Sequence, residues 1–245
     1  MILCRGASLR RILLAAGCAC IMTTDVLAAL TPVQDSPDSF NEPNLVGVNP
    51  FPGNSNPSIL ETLYGESNVV RVDDDLDRFF VHAGTTASVK AVAKFVGLSN
   101  PQFGYFPNGS TTFVSLFTLG GSGYGVTGSG QIDIAASGAT FATSARFAGS
   151  IFSSDPAANP VFPNIVDHLV TYRIVGNAGH PSNSLGAYVL GWESSGSNTD
   201  NDYQDVVFEM SGVSAVPEPM SPAPLALCAL RLWLLRTSRR RDVPG

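Results

Sequence analysis

The chain has 245 residues and a formal net charge of −6, but the charge is unevenly spread. Between residues 30 and 215 there are six basic residues (Arg71, Arg78, Lys90, Lys94, Arg146 and Arg173) against seventeen Asp and Glu, which leaves that stretch at −11. A field of that sign repels phosphates and argues against a DNA or RNA partner, and all four cysteines (Cys4, Cys18, Cys20, Cys228) lie outside the stretch, which excludes a disulfide within it.

At the start, Arg5, Arg10 and Arg11 precede an apolar run from Ile12 to Met22, and Val26, Leu27, Ala28 and Ala29 follow. This order predicts a cleavable signal helix over 1–29, cut by a signal peptidase after Ala28 or Ala29. Cys18 after Leu14–Gly17 offers a lipoprotein signal as an alternative, with fewer apolar residues before the cut than such signals carry. Residues 30 to 215 suit one domain with a core of its own.

Residues 31–57, rich in Pro, Asn, Ser and Gly, read as an irregular lead-in. "SILETLYG" at 58–65 predicts a short helix capped by Ser58 and ended by Gly65, with Ile59, Leu60 and Leu63 facing inward. From there the apolar period shifts to two. In "TTASVKAVAKFVG", Val89, Ala91, Ala93 and Phe95 fall on one face, and Lys90, Val92, Lys94 and Val96 on the other. Further strand-like runs are 68–72, 111–119, 131–136, 140–149, 164–175, 186–193 and 205–211. About eight short strands with Gly, Pro, Asn and Ser turns and no long helix predict an all-β fold, an antiparallel β-sandwich of jelly-roll-like type.

The loop from Glu193 to Asp205 is long for a hairpin connection. Glu193, Asp200, Asp202 and Asp205, with Asn198 and Asn201, are hard oxygen donors of the kind Ca²⁺ collects six to eight at a time, and a Ca²⁺ site is one of two readings the spacing leaves open. The competing account is an exposed loop whose Asp and Asn make local turns; the spacing does not match an EF-hand. A second acidic run, Asp73, Asp74, Asp75 and Asp77, either joins that site or forms a solvated turn, and the turn is the expectation. A glycosidase pair, Glu193 with Asp202 or Asp205, has no sequence mark of a cleft behind it.

His168 shares a strand face with Val166, Val170, Tyr172 and Ile174 and reads as a packed, hydrogen-bonded histidine. "GYGVTG" (Gly123–Gly128) matches a phosphate-binding pattern, but strand-like residues follow where a helix should open, so it reads as a hairpin loop. No nucleophile-elbow G-x-S-x-G is present.

The tail holds an apolar run from Pro224 to Leu235, twelve residues interrupted by Arg231, followed by Arg236, Arg239, Arg240 and Arg241. As a helix it is about 18 Å long against a hydrocarbon core of about 30 Å, a short membrane helix that makes a poor permanent anchor. Its arginines favour the cytoplasmic side, leaving the body outside. Val216, Pro217, Glu218 and Pro219 precede it. This order, "VPEP", apolar run, arginine cluster, resembles the PEP-CTERM sorting signal of exported Gram-negative proteins, and the resemblance implies a sorting segment over 216–245. It also implies processing by an exosortase-like membrane enzyme, a transient stay in the inner membrane, a final place at the cell surface or outside it, and an association with exopolysaccharide or biofilm. Arg231 and the terminal "DVPG" depart from the usual pattern.

"DHLVTY" (Asp167–Tyr172) and "YVLGWESSGSNTDNDYQDVVFEMSG" (Tyr188–Gly212) are similar to a domain of unknown function in secreted, calcium-associated bacterial proteins. The shared positions are Trp192, Glu193, Asp200, Asp202, Tyr203 and Asp205; Ser194 stands where that group more often has a second acid. The resemblance implies a non-catalytic, calcium-stabilised domain. A carbohydrate-binding module is the alternative, with Trp192, Tyr203 and Tyr188 as the platform it would expose.

Overall fold

The computed structural model describes residues 42–47, 56–82, 86–97, 100–107, 110–133, 139–159, 167–176, 184–194 and 202–216. The expected signal helix and the apolar run of the tail lie outside the described residues. Helix α1 (Ile59–Leu63) starts where the pattern predicts, because the Ser58 hydroxyl accepts a hydrogen bond from Glu61 N at 3.0 Å and satisfies an amide that a helix start leaves orphaned. Ile59 and Leu60 are fully buried and Leu63 partly so.

The rest of the regular structure is strand. In order these are β1 (Val69–Arg71), β2 (Phe79–His82), β3 (Ala87–Lys94), β4 (Gln102–Pro107), β5 (Val114–Thr118) and β6 (Ser129–Ile132), then β7 (Thr140–Phe147), β8 (Ser150–Ser153), β9 (Leu169–Ile174), β10 (Tyr188–Trp192), β11 (Val206–Ser211) and β12 (Val213–Val216). The chain is therefore an all-β sandwich of two antiparallel sheets. The first sheet runs β1-β9-β10-β11-β3-β6 and the second β12-β2-β7-β4-β5, with β8 also on β7. Four strands, β2, β4, β8 and β12, exceed the eight read from the sequence. Three of these are only four residues long, and β4, bounded by prolines, reads Phe-Gly-Tyr-Phe without alternation, so none carries a visible strand pattern.

Period-two alternation sends Phe80, Phe103, Phe141 and Phe147 of the second sheet against Leu190, Trp192, Phe208 and Met210 of the first. The first sheet is buried on its other face too. Leu45, Ile59, Leu60 and Tyr64 cover Val170, Ile174, Val189 and Val207 there, which is why β9 to β11 are apolar on both faces. A buried polar link holds α1 down: the Tyr64 hydroxyl donates to Glu209 Oε2 at 3.0 Å, and Lys90 Nζ pairs with Glu209 Oε1 at 3.0 Å.

In β3 the predicted faces hold only as far as Ala91. Val207 pairs with Ala93 and Phe208 with Ala91, so Val92 is an extra residue in a bulge. Beyond it the parity is reversed: Ala93 and Phe95 belong with the outer cluster, whereas Val96 packs on the inner one. The chain changes sheets between β11 and β12 in a single residue, Gly212, at φ +75°, where a Cβ would come within 2.2 Å of Thr86 O. The "GYGVTG" loop is a tight turn between β5 and β6, with Gly120 bridged to Thr127.

Candidate functional site

Strand order, which the sequence does not reveal, gathers acids from four strand ends. β10 ends at Trp192 opposite Leu169, where β9 begins, and opposite Val206, where β11 begins. β1 runs antiparallel to β9 and ends at the same edge. The acidic turn after β1, Asp167 before β9, Glu193 after β10, and Asp202 and Asp205 before β11 therefore share one end of the first sheet.

Each predicted ligand has a defined place, apart from Asp200, which lies outside the described residues. Asp205 ties the two ends of the loop together, its Oδ2 accepting from Ser194 N and its carbonyl from Phe95 N and Val96 N at 3.0 and 3.2 Å. Asp202 is 4 % exposed, and its Oδ1 accepts from Gln204 N at 3.3 Å, a local turn of the type Asp favours. Its carbonyl accepts from Leu45 N at 3.2 Å. Glu193 is 2 % exposed. Among the described residues no three His, Cys, Asp or Glu converge as a ready-made metal group; Asp202 and Asp205 are each engaged with backbone amides.

The turn after β1 departs from expectation. It is a turn, with Leu76 N donating to Asp73 O at 2.8 Å, and Asp73 and Asp75 are solvated as expected, but Asp74 and Asp77 are buried. The chain there crosses from the first sheet to β2 of the second, and the crossing carries these side chains into the end of the sandwich. Arg71 pairs with Asp74 at 3.2 Å. Asp77 Oδ2 has no hydrogen-bond partner among the described residues. Burial raises the Asp77 carboxyl well above the ordinary aspartate value, Asp167 and to a smaller extent Asp74 push it further, and Thr171 and Arg71 oppose the rise.

His168 is packed and hydrogen-bonded, as read. Its Nδ1 lies 3.1 Å from Glu193 O, and its ring stacks on Phe152 at 3.9 Å. It does not share the outer face with Val170, because β9 begins at Leu169 and alternation does not reach back to residue 168. Burial lowers its pKa to about 4, against the contrary pull of the Glu193 carbonyl.

The aromatic platform is overturned. Trp192 and Tyr203 are fully buried and Tyr188 is 6 % exposed. Trp192 and Tyr188 face the second sheet by strand parity. Tyr203, at φ +54°, turns into the outer cluster and donates to Asp167 O at 3.4 Å. Gly191 admits that loop: a Cβ there would lie 2.8 Å from Tyr203 O and 2.5 Å from Leu45 Cδ2.

Of the sorting motif, Val216 closes β12, and Pro217, Glu218 and Pro219 lie outside the described residues. Comparison of the chain with family models, with curated proteins and with solved structures found no match in any of the three.

Proposed function

We propose that the chain is a non-catalytic exported protein, delivered across the inner membrane by its N-terminal signal and sorted to the cell surface or extracellular matrix through its PEP-CTERM-like tail. Signal peptidase and an exosortase-like enzyme are its processing partners, extracellular polysaccharide its surroundings, and the sandwich is of jelly-roll-like type. The observation that carries the reading is the position of the fold's last strand: β12 ends at Val216, the first residue of "VPEP". Strand and motif share Val216 alone, so that removal of the chain beyond the motif leaves every described strand in place.

Ca²⁺ is the ion for the acidic end of the first sheet, held by Glu193, Asp200, Asp202 and Asp205. What supports it is that four strand ends bring acids to the same end of the first sheet, together with the hard oxygen chemistry of the donors. The carbohydrate-binding alternative has lost its three aromatic candidates to the interior.

Intact-mass measurement of the protein recovered from its native surface tests the sorting reading. The expected mass lacks residues 1–29 and the tail beyond the "VPEP" region; a mature form retaining 220–245 overturns it.

A further inference from the structure

Val70, Val175 and Leu185 are three of the four large apolar side chains that stand exposed among the described residues, at 55, 51 and 64 %. They share one corner. Val70 lies on the edge strand β1 opposite Arg173, and Val175 N donates to Asn68 O at 2.8 Å just before β1. Leu185 sits in the turn entering β10, where Gly186 N donates to Ile174 O at 2.9 Å.

Between this edge and β12 runs a groove of about 430 Å³, lined by Val70, Val72, Leu76, Arg173, Val175 and Ala215, with Asp73 at its rim. The last of these apolar residues belongs to the strand from which the tail departs, and β12 is pinned there by Ala215 N donating to Tyr188 OH at 3.1 Å. From Val216 only seven residues, 217–223, separate the fold from Pro224, the start of the apolar run. Fully extended, the eight steps from residue 216 to residue 224 span at most about 29 Å.

We propose that this corner is a lipid-docking surface, used while the tail is held in the membrane; the proposal rests on the reading of residues 224–235 as a membrane segment. Three features fit a lipid occupant. Exposed aliphatic side chains suit the boundary between headgroups and acyl chains. The Arg173 guanidinium offers a planar donor fork to a lipid phosphate. In the groove's lining Arg71 and Arg173 stand against one acid, Asp73, whereas residues 30–215 as a whole carry −11, so an anionic bilayer meets less repulsion here than over the average of the body. Such a contact is weak by itself, but a tether of seven residues holds the corner at an effective concentration in the millimolar range, where weak contacts are populated. Docking there also keeps the chain beyond Val216 close to the bilayer surface, where a membrane-embedded processing enzyme works.

The test uses the full chain reconstituted in vesicles of phosphatidylethanolamine and phosphatidylglycerol at 3:1, with a photo-crosslinking amino acid at position 70, 185 or 115. Ser115 is exposed on β5, the edge of the second sheet farthest in strand order from β12. Alkaline-carbonate extraction reports separately whether the tail is inserted. Lipid adducts at 70 and 185 at least fivefold above those at 115 are expected, and Leu185→Asp, at an exposed turn, should lower the adduct at 70 at least threefold. A carbonate-resistant chain with equal adducts at all three positions overturns the docking surface alone, as do adducts of doubled protein mass or internal adducts to residues 217–223. A chain released by carbonate removes the membrane reading of the tail, and the docking surface with it.

Discussion

Asp77 lies almost without water beside Asp167 and Asp74, with Arg71 the cation that opposes their field. Its folded-state pKa is above the ordinary value, so the native state keeps a proton that the unfolded chain releases. Stability from this residue is complete below the ordinary aspartate value and falls as pH rises through the raised one. Asp77→Asn removes the charge at nearly constant volume. It should stabilise the protein at pH 7 by about 1 to 3 kcal/mol, read as a melting temperature several degrees higher, with the gap closing near pH 4. A destabilised variant at pH 7 would contradict the burial argument. His168 has the opposite sign: its pKa falls to about 4, the folded state holds a neutral ring, and stability is lost as pH drops from about 6.5 toward 4. That loss is on the order of 3 kcal/mol. His168→Phe, which keeps a ring against Phe152, should flatten the acid limb of a melting-temperature profile from pH 4 to 7. The acidic run was legible as a turn, because four Asp in five positions make one; the burial of Asp74 and Asp77 was not, because it depends on where the crossing to the second sheet runs.

At the scale of elements, α1 and β3 show two kinds of legibility. The helix was readable since its cap, its apolar spacing and Gly65 are all local. Its partner was not: Tyr64 reaches Glu209, 145 positions along the chain, across the outer face of the first sheet. Tyr64→Phe leaves Glu209 paired with Lys90 but takes a hydrogen bond from a buried carboxylate, and should cost about 1.5 to 3 kcal/mol. Urea unfolding with an unchanged m value would measure it; a cost below about 0.5 kcal/mol would show that Lys90 alone satisfies the carboxylate. In β3 the alternation was correctly seen but continued through Val92, where an extra residue reverses it. A bulge depends on the register of two strands, and nothing in one strand announces it.

For the whole molecule, the acidic end of the first sheet makes a prediction about cations. If Ca²⁺ binds only the folded state, a concentration 100 times the dissociation constant adds about 2.7 kcal/mol of stability. The melting temperature should then rise by several degrees in millimolar CaCl₂ relative to EDTA, and Asp205→Asn should reduce the rise. Equal melting temperatures in the two buffers would remove the ion from the account of this fold.

What the sequence determined by itself was whatever short-range order writes into the chain: strand parity in β3 up to Ala91, the capped start of α1, the all-β class, and the position of the motif at Val216. Only the tertiary structure decided which acids meet, that Trp192, Tyr188 and Tyr203 face inward, and that Val70, Val175 and Leu185 stand together. Side-chain direction along a strand repeats every two residues and can be read locally. The neighbour across the sheet is chosen by strand order, and the first sheet joins β1 to β9 and β11 to β3, pairs about a hundred residues or more apart in the chain.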